Sequence, residues 1–165
     1  MALVPALDLR PSNDIAIPHA PSNVEAEQAL LGALLYDNAA FERLGDHLQA
    51  RHFYEPFHQR LFQAISNNIR KGLLAEPILL AEQFSRDPAF EELGGVRYLA
   101  DLVDRAPPAA NAPDYGNAIY DLALRRDLIR IGGEIAVDAG TPDAERDSRD
   151  QIEIAEQKLY SLAES

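Results

Sequence analysis

The residues whose types could do chemistry are few and can be taken in turn. His47, His52 and His58 lie within a dozen positions, with Asp46 and Glu55 among them. A zinc-type site needs three or four such ligands converging on one point, each held in place by further hydrogen bonds. Spacings of five and six do not stack on one face of a helix, so these histidines read as surface or partly packed side chains. Nucleotide binding needs a glycine loop ending in Gly-Lys-Ser/Thr, whose amides cradle phosphate. The chain has two lysines, Lys71 and Lys158, and neither follows a glycine. Gly94-Gly95 and Gly132-Gly133 are isolated pairs. Carboxylate neighbours such as Glu91-Glu92 and Asp143 with Glu145 are background among 27 acids. No Ser/His/Asp set assembles from the spacing. Arg125, Arg126 and Arg130 form the most basic spot, read as pairing with nearby acids or with a partner. No catalytic, cofactor-binding or metal-ligating residue is assigned.

The composition bounds what else the chain can do. Of 165 residues, 47% are hydrophobic, enough to bury a core and to disfavour global disorder. A formal net charge of −12 repels phosphate backbones, so direct nucleic-acid binding by this segment should be slight. The absence of cysteine removes disulfides and thiolate metal sites and fits a reducing compartment. No apolar run approaches the roughly 18 residues of a membrane span, and Met1 to Arg10 lacks a secretory pattern. These features lead us to expect a soluble, cytoplasmic protein with no membrane association.

The elements that would position partner contacts are helical. Residues 1–21, with Pro5, Pro11, Pro18 and Pro21, read as a flexible N-terminal tail. Residues 22–110 read as a globular helical bundle. Ser22 with Glu25 suggests a capping box at the first helix, and Asn38 an N-cap for a short second one. Pro56 opens a helix carrying Phe57, Leu61, Ile65 and Ile69, which Gly72 stops. Further short helices begin near Pro77 and Pro88, and Gly94-Gly95 separates them from Val96 to Arg105. No period-two alternation or hairpin-turn dipeptide competes, so the fold class is all-α. Residues 111–165 read as a long antiparallel helical hairpin. One helix runs from about Ala112 to Asp138, Gly140-Thr141-Pro142 breaks it, and a second starts at Ser148 with Gln151 as a capping-box partner.

The long helix carries two apolar stripes at about 100° per residue. Tyr115, Ile119, Leu122, Ile129 and Ala136 form one, and Leu124, Leu128, Ile131 and Ile135 form the other, nearly opposite. The last helix, with Ile152, Ala155, Leu159, Leu162 and Ala163 on one face, is too short and narrow to cover both. The remaining stripe must meet the globular body or another chain, since soluble monomers rarely leave such patches bare. Gly132-Gly133 within this helix permits either a close helix approach or a bend.

Several segments, in order, resemble a known family. Pro18-His19, then Glu25-Ala26-Glu27 and Leu31-Gly32, His52-Phe53-Tyr54 with His58 and Phe62, Leu93-Gly94-Gly95 with Tyr98-Leu99, Pro108 to Asn111 with Tyr115, and Arg126 to Ile135 are similar to the N-terminal domain of DnaB-type replicative DNA helicases. The likeness runs from about residue 18 to 164. Each motif alone is weak, and their shared order is specific. The resemblance implies a bundle-plus-hairpin domain whose hairpins pair between subunits. Six such domains would form a collar on a hexameric ring and dock the C-terminal domain of primase, with a helicase loader as a further partner. It also implies that ATP, magnesium and DNA are handled by a RecA-like motor domain absent from this chain. The chain would then be one domain of a longer bacterial protein of the nucleoid-associated replisome. On this footing the expected dimer and partner contacts are Leu124, Leu128, Ile129, Ile131, Ile135, Ile152 and Leu159. Gly132-Gly133 departs from the larger residues usual at that point of the family. A stand-alone primase-like docking domain or helicase-loader adaptor is the alternative.

Overall fold

The computed structural model describes residues 18–165, so most of the tail assigned to residues 1–21 lies outside the described residues. Seven α-helices follow in order: α1 (Val24–Tyr36), α2 (Pro56–Arg70), α3 (Pro77–Gln83), α4 (Pro88–Leu93), α5 (Val96–Asp104), α6 (Ala112–Ala139) and α7 (Ser148–Glu164). Short 3-10 segments occupy Asn38–Arg43, Ala50–His52 and Ala109–Asn111. Among the described residues there is no sheet; an isolated bridge pairs Asp143 with Arg146 in the turn between α6 and α7.

Proline and glycine punctuate the chain as their chemistry requires. Pro56, Pro77, Pro88 and Pro113 sit in the first turns of α2, α3, α4 and α6, where a missing amide costs nothing. Gly94 and Gly95 have φ of 116° and 65°, a left-handed turn that separates α4 from α5. Three caps differ from the sequence reading. Asn23, not Ser22, caps α1 by accepting from the Ala26 amide at 2.9 Å. Asp37, not Asn38, caps the first 3-10 turn. Asp147, not Ser148, caps α7, and its box partner is Asp150 rather than Gln151.

The core surrounds α1. Leu30, Leu31, Leu34 and Leu35 are all buried, so the helix is apolar nearly all round and packs against α2, α5 and α6 at once. Phe53, Phe57, Leu61, Phe62 and Ile65 come from α2 and its approach, Leu80 from α3, and Leu99 and Leu102 from α5. Phe57, Phe84 and Phe90 make an aromatic cluster with centroids 5.1 to 5.8 Å apart. Full burial of each such side chain contributes about 1.5–3 kcal/mol.

α6 serves two units. Its first half belongs to the body: Ala112, Gly116, Ile119 and Ala123 are buried there. Its last turns, from Glu134 onward, are linked to α7 through Lys158 and Gln151, and α7 contains no buried residue. The hairpin is therefore a projection held to the body by the middle of α6.

Candidate interaction surface on the hairpin

Two polar clusters hold the hairpin's base in place. In the first, the buried Glu27 carboxylate of α1 accepts from the Tyr54 amide at 2.7 Å, the Glu55 amide at 3.2 Å and His58 Nδ1 at 2.9 Å. His58 Nε2 accepts from the Tyr98 hydroxyl at 2.6 Å, and that hydroxyl accepts from Gln28 at 3.3 Å. Because a carboxylate only accepts, the proton between His58 and Glu27 rides on Nδ1. Every polar group in this relay is satisfied, as burial demands. His52 and His58 are each 1% exposed, so the reading of both as surface or partly packed side chains is corrected.

The second cluster anchors α6. Arg126 donates to the Pro21 carbonyl at 2.9 Å and the His52 carbonyl at 2.7 Å, and its guanidinium lies 5.5 Å from the centre of the Tyr54 ring. It thus staples the approaches to α1 and α2 onto α6. Arg125 pairs with Asp121 at 2.7 Å, and Arg130 with Glu134 at 2.9 Å. The two follow the expected pairing with acids, whereas Arg126 binds backbone carbonyls instead.

His52 beside this staple has a pH consequence. The Gln49 amide donates to His52 Nδ1 at 2.9 Å, so the neutral ring carries its proton on Nε2. Nε2 has no hydrogen-bond partner among the described residues, and the ring meets Tyr120 edge to face at 5.0 Å. Burial, reinforced by the neighbouring Arg51, pushes its pKa from 6.5 down to about 4. The unfolded chain takes up a proton near pH 6.5 and the folded chain resists until about pH 4. The stability from keeping this ring neutral is complete above pH 6.5 and is lost as the pH falls toward 4. At about 1.4 kcal/mol per pH unit, the loss at pH 5 is about 2 kcal/mol. Urea unfolding at pH 7.5 and 5.0 should show His52→Asn, which keeps an acceptor but does not titrate, losing about 2 kcal/mol less than the parent on acidification. Identical pH dependence in the two proteins would contradict this account.

The hairpin face follows from the helix phases. Leu128 is 50% exposed, Ile135 37%, Ile152 57% and Leu159 44%. Leu128 and Ile135 stand seven residues apart on α6, as do Ile152 and Leu159 on α7, so each pair lies on one face of its helix. Ile135, Ala139, Ile152 and Ala155 line a single groove between the helices. The two faces therefore adjoin on one side of the hairpin. Leu124 and Ile129 are half-buried. Ile131 is not available to a partner: it is 3% exposed, in the seam with Lys158 and Leu162 of α7. Its phase is about 60° from that of Leu128, enough to turn it under α7 while Leu128 stays outside. The stripe assigned to partners is thus split between internal packing and a free edge.

A family model described as the DnaB-like helicase N terminal domain matches residues 19–121. The chain belongs to the DnaB-like helicase N-terminal domain family. The replicative DNA helicase DnaB of Rickettsia felis is 46% identical over 151 residues, 91% of this chain and 31% of that protein. The Treponema pallidum counterpart is 34% identical over 142 residues, 86% of this chain and 32% of that protein. A crystal structure of the N-terminal domain of DnaB helicase from Mycobacterium tuberculosis superposes with a TM-score of 0.73 at 29% identity, covering 86% of this chain and 99% of that one. A DnaB-like replicative helicase, described with its interactions with primase, shares the fold with a TM-score of 0.66 at 21% identity, covering 85% of this chain and 31% of that one. The chain therefore spans about a third of the length of the curated relatives it matches.

The sequence of this DnaB-like domain has no Gly-Lys-Ser/Thr loop, and among the described residues no group of three or more His, Asp or Glu converges. Among the described residues no helix is long and apolar enough to cross a membrane.

Proposed function

We propose that this domain is an assembly module of a bacterial replicative DNA helicase, pairing with a second copy through its hairpin and docking primase. The observation that carries the reading is the contiguous exposed face of Leu128, Ile135, Ile152 and Leu159 on a projecting hairpin. A patch of this kind on a soluble chain marks an interaction site. In the proposed whole protein, six such domains form a collar over motor domains that use ATP and magnesium to unwind DNA in the cytoplasm, and a helicase loader engages the assembly. The relative described with primase supports the primase partner. The charge of −12 argues that this segment leaves DNA to the motor. The relatives reported above are helicases, which disfavours a stand-alone docking or loader adaptor.

Size-exclusion chromatography with light scattering tests the pairing. The parent chain should form dimers or larger species at micromolar concentration. Leu128→Asp should raise the dissociation constant at least tenfold, about 1.4 kcal/mol, with the far-ultraviolet circular dichroism unchanged. A parent that stays monomeric at high micromolar concentration would refute hairpin pairing. Ile131→Asp is not a clean test, because it would bury a charge under α7 and loosen the hairpin itself.

A further inference from the structure

Gly132 and Gly133 stand in the interior of α6, where glycine is the poorest helix former short of proline. Neither has a positive φ. A Cβ built at either would meet nothing within 4 Å. Among the described residues, then, neither turn geometry nor close packing calls for glycine at these positions.

The register of α7 on α6 shows what lies beside them. Lys158 reaches the Glu134 carboxylate at 2.8 Å, and Gln151 donates to the Asp138 carbonyl at 3.1 Å. Continued along two antiparallel helices, these links put Ala163 level with Leu128, Leu159 level with Gly132, Ala155 level with Ile135 and Ile152 level with Ala139. Leu128, Gly132 and Ile135 share one face of α6, being four and three residues apart. Leu128, Ile135, Ile152 and Leu159 therefore each sit beside a small residue on the other helix, and this part of the free face, which the exposed Glu156 of α7 also borders, is a checkerboard of knobs and sockets.

Such a pattern is complementary to itself. Laid face to face about a two-fold axis parallel to the hairpin, two copies bring Leu159 of the second copy over Gly132. About a two-fold axis perpendicular to the hairpin they bring Ile135 of the second copy there. In both arrangements each of the four apolar side chains Leu128, Ile135, Ile152 and Leu159 meets a small residue, as knobs-into-holes packing and an isologous interface require. A face as long as α7 and two helices wide is about 25 Å by 20 Å, about 500 Å², close to what each partner buries in a small specific interface. We infer that Gly132 is the socket of the hairpin interface, receiving a large apolar side chain from a second copy, and that Gly133, one position round the helix, is not. The inference rests on the pairing reading above.

Light scattering over a concentration series, with thermal melting of dilute protein, separates the possibilities. Gly132→Leu should weaken pairing at least tenfold without lowering the melting temperature of the monomer. Gly133→Ala should raise that temperature by about 2–4 °C from helix propensity and leave pairing unchanged. If Gly132→Leu is combined with Leu159→Ala, restored pairing supports the socket and selects the parallel axis. Restoration by Ile135→Ala supports it and selects the perpendicular one. If the parent pairs, Leu128→Asp weakens it and Gly132→Leu pairs like the parent, the socket is wrong while hairpin pairing stands. A parent that never pairs overturns both.

Discussion

Replacing Glu27 by alanine is expected to lower the free energy of unfolding by about 3–5 kcal/mol, as breaking a buried charged or polar pair from one side does. The carboxylate is 2% exposed and accepts from two backbone amides and His58. Alanine leaves all three donors facing an apolar core. Glutamine is the informative partner variant. It keeps one acceptor oxygen but turns an amide group toward donors that need acceptors, so Glu27→Gln should cost about 2 kcal/mol. The consequences reach the hairpin, because the amides that Glu27 holds belong to Tyr54 and Glu55, and the Tyr54 ring lies beside Arg126. Urea denaturation followed by circular dichroism at neutral pH gives both values. A loss below about 1 kcal/mol for Glu27→Ala would mean that water replaces the carboxylate and that the relay is not a stabilising device.

Glu27 was legible in principle. It precedes Leu30, Leu31 and Leu34 by three, four and seven residues, which puts a carboxylate on the core side of α1. His58 likewise precedes Leu61, Phe62 and Ile65 by three, four and seven. Two polar residues phased with two apolar faces imply that they meet. Spacing compares the three histidines only with one another, and among the described residues no three ligating groups converge. His52 has a weaker signal, since it lies in a single 3-10 turn with no periodicity to place it.

The helices were easier to read because proline, glycine and apolar period act locally. The caps were not, for a specific reason. Ser22 and Asn23, Asp37 and Asn38, and Asp147 and Ser148 are adjacent pairs in which both members cap well. Tertiary demand breaks the tie in one of them. Asn38 is taken by the Leu34 carbonyl at 2.8 Å and by both backbone groups of Ala75. Gln151, expected at the α7 cap, instead reaches across to Asp138. On the hairpin, helical phase alone identified the stripe containing Leu128 and Ile135. It could not tell that α7 sits to one side of that stripe, covering Ile131 and freeing the rest, because the approach direction of α7 is set by the turn and by the links from Lys158 and Gln151.

Gly32 supports the second large effect. It lies in α1 at the crossing with α5, and a Cβ there would overlap the Leu102 carbonyl oxygen and come within 3.0 Å of its carbon and 3.5 Å of the Ala106 Cα. These are backbone atoms, which cannot rotate aside as a side-chain tip would. Leu102 and its neighbour Leu99 are core residues, so α5 cannot withdraw without opening space around Leu30 and Leu31. Alanine gains about 1 kcal/mol in helix propensity at such a position. Over-packing a well-filled core typically costs about 1–3 kcal/mol, more when rigid atoms collide. The collision should win, so Gly32→Ala is expected to destabilise the domain by about 2–3 kcal/mol net, and Gly32→Val by more. The opposite sign is expected at Gly133, where added carbon meets open space. Chemical denaturation of the two alanine variants side by side is therefore a controlled comparison: one helix-favouring substitution, two environments. If Gly32→Ala proves as stable as the parent, α1 and α5 must be able to separate by several tenths of an ångström, and the rigid body assumed beneath the hairpin would have to be replaced by one that yields at this crossing.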